Sequence, residues 1–513
     1  MSTSPQGTPA DRGKLSYGLW LLIGLALLKW FIHLYTNANY GFHRDELLHL
    51  AAAHHPAWGY MEFPPMIAWL GWIEQTFIGD SLLATRFLPA VAGAVIVFLT
   101  GLMARELQGG RLALALAASC ALGAIAYFRN HTLFQPVAFD QLFWTLGAYF
   151  LIRYLRTERE GYLLSLGIAI GLGLLTKYTM LIWAVGMAVG LLFYRNGVIV
   201  RLKKAWLAVG IAVLIVLPNL IWQWAHGFPA AEHLDQLYAA QLDGQSRLEF
   251  FRVQVLAMNP FSLPVWGLGL YFLLARFDKQ YRPLGIAFLT ALLIMVALNS
   301  KPYYFFAAYP ALFAAGGVAW EEVLRSRWRL LGWGWILLLL VAAFQYLPKM
   351  TPALPIERFA EYAGLEKDSS GRLQGLTSDY ADMFGWEEQV TAVDSLYRSL
   401  SEEDRRRCVI WAENYGEAGA IEVLGKRYGL PSPVCKHGSF WLWGPGDLPG
   451  EVAISIGNET EIVQQFYEET ILVRRLSHPY AIQEEQNIPL YLCRGIKVDL
   501  QEYWPRLRPI IFE

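Results

Sequence analysis

Long apolar runs separated by short polar connections fill the first two thirds of the chain, and a mixed polar segment fills the rest. Runs able to cross the ~30 Å hydrocarbon core of a bilayer recur at 18–35, 87–104, 112–128, 137–152, 162–176, 178–194, 206–222, 261–275, 284–298, 303–320 and 330–346. The pattern predicts eleven transmembrane helices, the shortest of which extend into their flanks. A globular core can bury one or two such runs, not eleven. Two connections are long, 36–86 and 223–260. Within the first, apolar positions recur at helical spacing around 45–53 and 64–78, which predicts helices lying along the membrane surface. Trp58, Trp69 and Trp72 suit that interfacial depth.

The pattern changes after Pro348-Lys-Met-Thr-Pro352. Short β-rich runs (Cys408–Ala412, Ser439–Trp443, Val452–Ile456) alternate with helical patterns at Trp386–Leu400 and Glu417–Tyr428. Strands alternating with helices predict a small α/β domain. The expected fold class is therefore a polytopic α-helical membrane protein, residues 1–347, with a C-terminal soluble α/β domain, residues 348–513. Asn414-Tyr-Gly-Glu-Ala-Gly419 joins a strand to a helix without the spacing of a nucleotide-binding loop, and reads as a tight turn.

Composition agrees with a membrane protein: 55% of the 513 residues are hydrophobic and 17% charged, with mean hydropathy +0.31. A net charge of −1 argues against a nucleic-acid partner. Basic residues gather in alternate connections: Arg12/Lys14, Arg105/Arg111, Arg153/Arg156/Arg159, Arg195/Arg201/Lys203/Lys204, Arg276/Lys279/Arg282 and Arg325/Arg327/Arg329. By the positive-inside bias these face the cytoplasm. The 36–86 loop and the C-terminal domain then lie outside, with the first apolar run a retained anchor. Three cysteines (Cys408, Cys435, Cys493) fall in the outer domain and Cys120 in a span, too few for a disulfide scaffold.

The chemistry-bearing stretch is Tyr40-Gly-Phe-His-Arg-Asp-Glu-Leu-Leu-His-Leu50, followed by Glu62 beside Pro64-Pro65. It places the neighbouring carboxylates Asp45 and Glu46, with His43, Arg44 and His49, where a helix emerges into water. An ordinary polar loop with an N-cap acid would look similar. Further ionisable residues lie at the same outer boundary: Asp140 at the start of the fourth span, Lys177-Tyr178 between two spans, and Lys301 in Asn299-Ser-Lys-Pro-Tyr-Tyr304. Snorkelling explains any one lysine at a helix end, Lys29 in the first span included. Several carboxylates and cations at one face suit a different task. A lysine or arginine neutralises a lipid-borne phosphate while a carboxylate takes a proton from an attacking acceptor.

Arg44-Asp-Glu-Leu, Ala57-Trp-Gly-Tyr, Glu62-Phe-Pro-Pro, Phe139-Asp-Gln-Leu-Phe-Trp, Leu174-Leu-Thr-Lys-Tyr, Lys301-Pro-Tyr-Tyr and Asn414-Tyr-Gly-Glu-Ala-Gly resemble motifs of the GT-C membrane glycosyltransferases. The likeness is to the bacterial branch akin to protein O-mannosyltransferases and the lipid A aminoarabinose transferase. The resemblance implies an inverting transferase that takes a sugar from a polyprenyl-phosphate donor, with a protein, lipid or glycan acceptor. It implies catalytic Asp45 with Glu46 as its partner. Lys301, Lys177, Tyr178, Arg129, Arg252, Tyr303 and Asp140 become the expected donor and phosphate site. In the aminoarabinose enzymes the residue matching Glu62 helps bind a metal, so a divalent cation held by Glu62 and His226, with His233 near by, is the cofactor expectation. The following residue, a donor-binding lysine there, is Phe63 here.

Two other classes compete. A transporter or flippase would spread polar residues through the bilayer midplane on discontinuous helices, whereas these charges gather at one face. A ligase passing a whole glycan would carry nearly the same residues.

Overall fold

The computed structural model describes residues 9–507 apart from 243, 245, 277–278 and 325–327. Every one of the eleven apolar runs lies mainly in helix. Among the described residues, five helices are long and apolar enough to cross a membrane alone: Gly18–Thr36, Leu82–Glu106, Lys203–Ala225, Lys279–Ala297 and Arg329–Met350. The number rises to seven if two bent pairs each count as one span. These are Met180–Leu192 with Tyr194–Arg201, bent by 110°, and Arg247–Ala257 with Pro260–Ala275, bent by 86°. The second pair revises the 223–260 loop, since its last part is the helix leading into the next span. The runs expected at 112–128 and 162–176 are the shorter apolar helices Arg111–Leu122 and Gly161–Thr176. Arg111–Leu122 is buried along nearly its whole length, so its apolar character serves packing inside the bundle.

The helices share a polarity that positions the site. Leu82–Glu106 carries Arg86 near its start, where the guanidinium meets Glu46 of the first connection. It ends at Glu106, which pairs with Arg153 and Arg156 at 3.3 and 2.6 Å. Pro136–Thr157 runs the same way, from Gln135 beside Asp45 to Arg153 and Arg156. One end of the bundle thus gathers the basic connections and the other the acidic first loop. Lys29 does not snorkel: it is fully buried, donates to the Tyr127 carbonyl at 3.1 Å and lies 4.2 Å from the Phe128 ring centre.

The first connection folds as anticipated into two short helices, Arg44–His54 and Met66–Phe77. His43 caps the first: its Nδ1 accepts from the Asp45 amide at 3.1 Å, while Glu46 accepts from the His43 amide at 2.9 Å. This reciprocal cap fixes where the helix starts, and hence which way Asp45 and Glu46 point.

The C-terminal part carries one five-stranded sheet with strands β1 (Cys408–Ala412), β2 (Pro433–Val434), β3 (Val452–Ile456), β4 (Tyr467–Leu476) and β5 (Ile488–Ile496). Their order is β2-β1-β3-β5-β4, parallel from β2 to β3 and antiparallel beyond. Ile410 pairs with Ile454 and Ile454 with Leu492. Strand β3 is buried throughout, which is why it reads as a continuous apolar run. The run at Ser439–Trp443 is a short helix, Gly438–Trp443, and not a strand. Its first turn is held by Glu62, a tertiary contact that overrides the β-prone aromatic composition.

Pro348 lies in the last turn of Arg329–Met350, so the composition boundary falls inside a helix. The cores do not divide there either. Leu47, Leu50 and Ala51 of the first-loop helix pack in one cluster with Ile410, Ile454, Ala418 and Ile421 of the C-terminal part and with Phe134 and Phe139 of the bundle. All four cysteines are buried and free.

Candidate active site

The site is built where helix Arg44–His54 is pressed between the bundle and helix Tyr415–Leu424. The approach is close: a Cβ added to Gly419 would lie 2.9 Å from the Leu47 carbonyl carbon. Asn414 caps the second helix by accepting from the Gly416 and Glu417 amides at 2.8 and 3.0 Å. Asn414–Gly419 is therefore a helix start packed on the Asp45 helix, and more than the tight turn read from the sequence.

Asp45 stands in the first turn, where the helix dipole favours its anion. Its Oδ2 accepts from Gln135 Nε2 at 2.7 Å and its Oδ1 from the Tyr415 hydroxyl at 3.2 Å. Gln135 in turn accepts at Oε1 from Arg129 Nη1 at 2.9 Å, which sets the amide orientation. Arg129 is held by Asp379 through two bonds of 3.0 and 2.8 Å. Burial alone would raise the Asp45 pKa. Nearby His43, His49 and Arg129 and the Tyr415 hydrogen bond more than offset it and hold the carboxyl below its usual range. The side chain stays 37% exposed, so a ligand can reach it.

Glu46 is the opposite case. Its carboxylate and the Arg86 guanidinium are both 0% exposed. It accepts from Arg86 Nε at 2.9 Å and Nη2 at 2.8 Å, and from the His43 and Phe134 amides at 2.9 Å each. With both oxygens so engaged it has no capacity to take a proton from a substrate. The expectation of a catalytic Glu46 is corrected accordingly: the residue fixes the helix that carries Asp45.

The expected donor residues divide. Lys177 Nζ lies 4.0 Å from the Tyr304 ring centre and 4.9 Å from that of Tyr303, within electrostatic reach of Asp140, Lys301 and Arg129. Asp140 accepts from Trp144 Nε1 and the Thr179 hydroxyl, both at 3.0 Å. Lys301 is half-buried; burial lowers its pKa, and the Asp45 charge works in the opposite direction. Tyr178 turns to Asn219, to which its hydroxyl donates at 3.0 Å. Arg252 is not brought in. Phe250 and Gln254 form the buried face of its helix, leaving Arg252 on the far side, 67% exposed and paired with Glu249.

The metal expectation meets a different geometry. Glu62 Oε1 accepts from the Ser439 amide at 2.8 Å and Oε2 from the Ser439 hydroxyl at 2.5 Å. Burial raises the Glu62 pKa despite these bonds. Gly438 has φ +48°, and a Cβ there would fall 1.6 Å from Glu62 Oε1, so only glycine allows this grip. His226 stacks on Trp222 with ring centres 4.1 Å apart, its Nδ1 2.8 Å from the Trp222 carbonyl. His233 lies within electrostatic reach of Lys301. Among the described residues no three His, Cys, Asp or Glu side chains converge as metal ligands.

Reading the sequence alone missed Tyr415, Gln135, Asp379 and Asp382. Arg44 Nη2 lies 3.1 Å from Asp382 and 3.3 Å from Glu485. Only the Asn-Tyr-Gly-Glu-Ala-Gly stretch had drawn attention, and composition gave no sign that its tyrosine meets Asp45.

Residues 62–222 match the family described as dolichyl-phosphate-mannose-protein mannosyltransferase, beginning just past Asp45. Over 263 residues, 49% of the chain, the sequence is 27% identical to the lipid A galacturonosyltransferase RgtD of Rhizobium johnstonii; the match spans 53% of that relative. The crystal structure of apo ArnT from Cupriavidus metallidurans superposes with TM-score 0.58 at 14% identity, over 94% of this chain and 98% of that one. The undecaprenyl phosphate-bound form gives 0.57, over 92% and 97%. The chain is thus an integral membrane protein with the GT-C fold of polytopic membrane glycosyltransferases, carrying a small C-terminal sheet.

Proposed function

We propose that the protein is an inverting glycosyltransferase that moves a sugar from a polyprenyl-phosphate donor to an acceptor at the outer face of the membrane. The observation that carries this reading is Asp45: a reachable carboxylate kept anionic, within electrostatic range of Arg129 and Lys301. A base and phosphate-binding cations side by side are what transfer from a lipid phosphate requires. Asp45 takes the proton of the acceptor hydroxyl as its oxygen bonds to the anomeric carbon. The bond from that carbon to the phosphate oxygen breaks, and polyprenyl phosphate leaves with its new charge met by Lys301, Lys177 and Arg129. Tyr303 and Tyr304 flank Lys177 and limit where the phosphate sits.

The outer-face assignment is supported by the separation of the basic connections, at the Glu106 end of the bundle, from the Asp45 end. Relationship to a lipid A galacturonosyltransferase makes a lipid-anchored glycan the first acceptor to test. The experiment is transfer by the purified chain in nanodiscs from galacturonosyl polyprenyl phosphate to lipid A, with other lipid-phosphate sugars in parallel. Transfer that depends on the lipid donor and is lost in Asp45→Asn is expected. Absence of transfer from every lipid-linked donor, or an Asn variant as active as wild type, would overturn the reading.

A further inference from the structure

We propose that Tyr415 is a positioning residue for this transfer, so that the active centre is complete only when the C-terminal domain is seated on the first-loop helix. The inference rests on Asp45 as the base. The two oxygens of Asp45 are held from different parts of the chain, Oδ2 by Gln135 of the bundle and Oδ1 by Tyr415 of the C-terminal part. Each carboxylate oxygen has two acceptor sites, so one donor on each fixes the plane of the group and leaves lone pairs for the acceptor proton. A base held in one orientation before the acceptor arrives needs no reorganisation at the moment of attack.

The seating of Tyr415 is itself specified. Glu485 accepts from Asn414 Nδ2 at 3.1 Å and from Gln389 Nε2 at 2.8 Å, and meets Arg44 at 3.3 Å. Arg44 precedes Asp45 in sequence, so one glutamate ties the cap of the Tyr415 helix to the start of the Asp45 helix. The Arg44 guanidinium carbon lies 5.8 Å from both the Trp386 and Tyr415 ring centres, which closes the side of the cluster. The missing Cβ of Gly419 permits the helix contact that brings the phenol into reach. Burial, reinforced by the Asp45 charge, keeps the phenol protonated and hence a donor. A phenylalanine would fill the same space, so the hydroxyl has a purpose beyond packing.

Tyr415→Phe isolates that hydroxyl. With galacturonosyl polyprenyl phosphate and lipid A as probes, turnover should fall roughly 10- to 100-fold, the worth of one hydrogen bond to a charged group. The KM for the lipid donor should stay within about twofold, because the bond serves the base and not the phosphate. Losing a bond that favours the anion raises the Asp45 pKa, so the acid limb of kcat/KM should move to higher pH. In an Asp45→Asn background the same substitution should cost little, since it acts through Asp45. A purely structural role predicts otherwise: folded yield, donor KM and turnover fall together, the limb stays, and the penalty is equal in both backgrounds. That result, or an unchanged Tyr415→Phe beside an active wild type, overturns the inference alone. A wild type inactive with every lipid-linked donor removes the transferase reading and this inference with it.

Discussion

Asp45 and Glu46 are adjacent carboxylates on one helix turn, yet they face two different regions. On the Glu46 side, the first turn is closed against Arg86 and the start of helix Leu82–Glu106, and neither charged side chain is exposed. On the Asp45 side, the turn opens toward Lys301, Arg129 and the C-terminal domain, with two neutral donors holding the carboxylate and water able to reach it. The contrast shows that an acid's role depends on who occupies its lone pairs. A buried carboxylate with a matched guanidinium and two amides is a structural plug; a half-exposed one with neutral donors remains a base.

The comparison breaks most readily at the plug. Arg86→Ala leaves an uncompensated buried charge and should cost about 3–5 kcal/mol, read as lost folded protein by fluorescence-detected chromatography and as a lower Tm. On the open side, Asp45→Asn should leave expression intact and lower Tm far less than Arg86→Ala does, while removing roughly 10²–10⁴-fold of turnover. If Asp45→Asn unfolded the protein, or Arg86→Ala left it stable, the two faces would have been assigned the wrong way round. Asp45→Glu should also lose activity, because one added methylene displaces the carboxylate from Gln135 and Tyr415.

The next effect concerns the leaving group. Lys301→Ala should raise the donor requirement and lower turnover together, since phosphate charge grows as the bond breaks; unchanged steady-state kinetics would remove Lys301 from the site. pH sharpens the same contrast. The Asp45 carboxyl is held below its usual range, so the base is ionised at neutral pH and activity should be lost only as pH falls through that depressed value. Glu46 is also held low: burial opposes its charge, but Arg86 and the amide hydrogen bonds prevail. Its stabilisation is present above its unfolded pKa and is lost as pH falls through the folded one. Acid should therefore lower Tm in wild type and less in Glu46→Gln, measured by scanning fluorimetry. The smallest effect is expected at Arg252→Ala, an exposed helix pair worth about 0.3–0.5 kcal/mol at most, with donor KM unchanged.

The site was legible in part. Asp45 stood out because a carboxylate at the mouth of a membrane helix is costly without a purpose, and Lys177 and Lys301 for the same reason. Arg252 was expected at the same donor site, but the packing of Phe250 and Gln254 decides which way its helix turns and leaves it outside. Glu62 was singled out by its likeness to a metal-binding position; what the sequence did not show is that it accepts from Ser439, more than 370 residues away. No local pattern announces such a pairing.

Sequence by itself determined the apolar periodicity that makes the helices, the asymmetry of basic connections, the two first-loop helices and the change to an α/β segment. These follow from side-chain hydrophobicity and spacing, which are local and additive. Tertiary structure decided that Glu46 is closed and Asp45 open, that one core cluster spans the two composition halves, and that Tyr415 reaches across to the first-loop helix. The reason is physical: a carboxylate's availability and basicity are set by burial and by the donors within about 3 Å of it. Here those donors come from segments separated by 90 and 370 positions, which only the folded chain brings together.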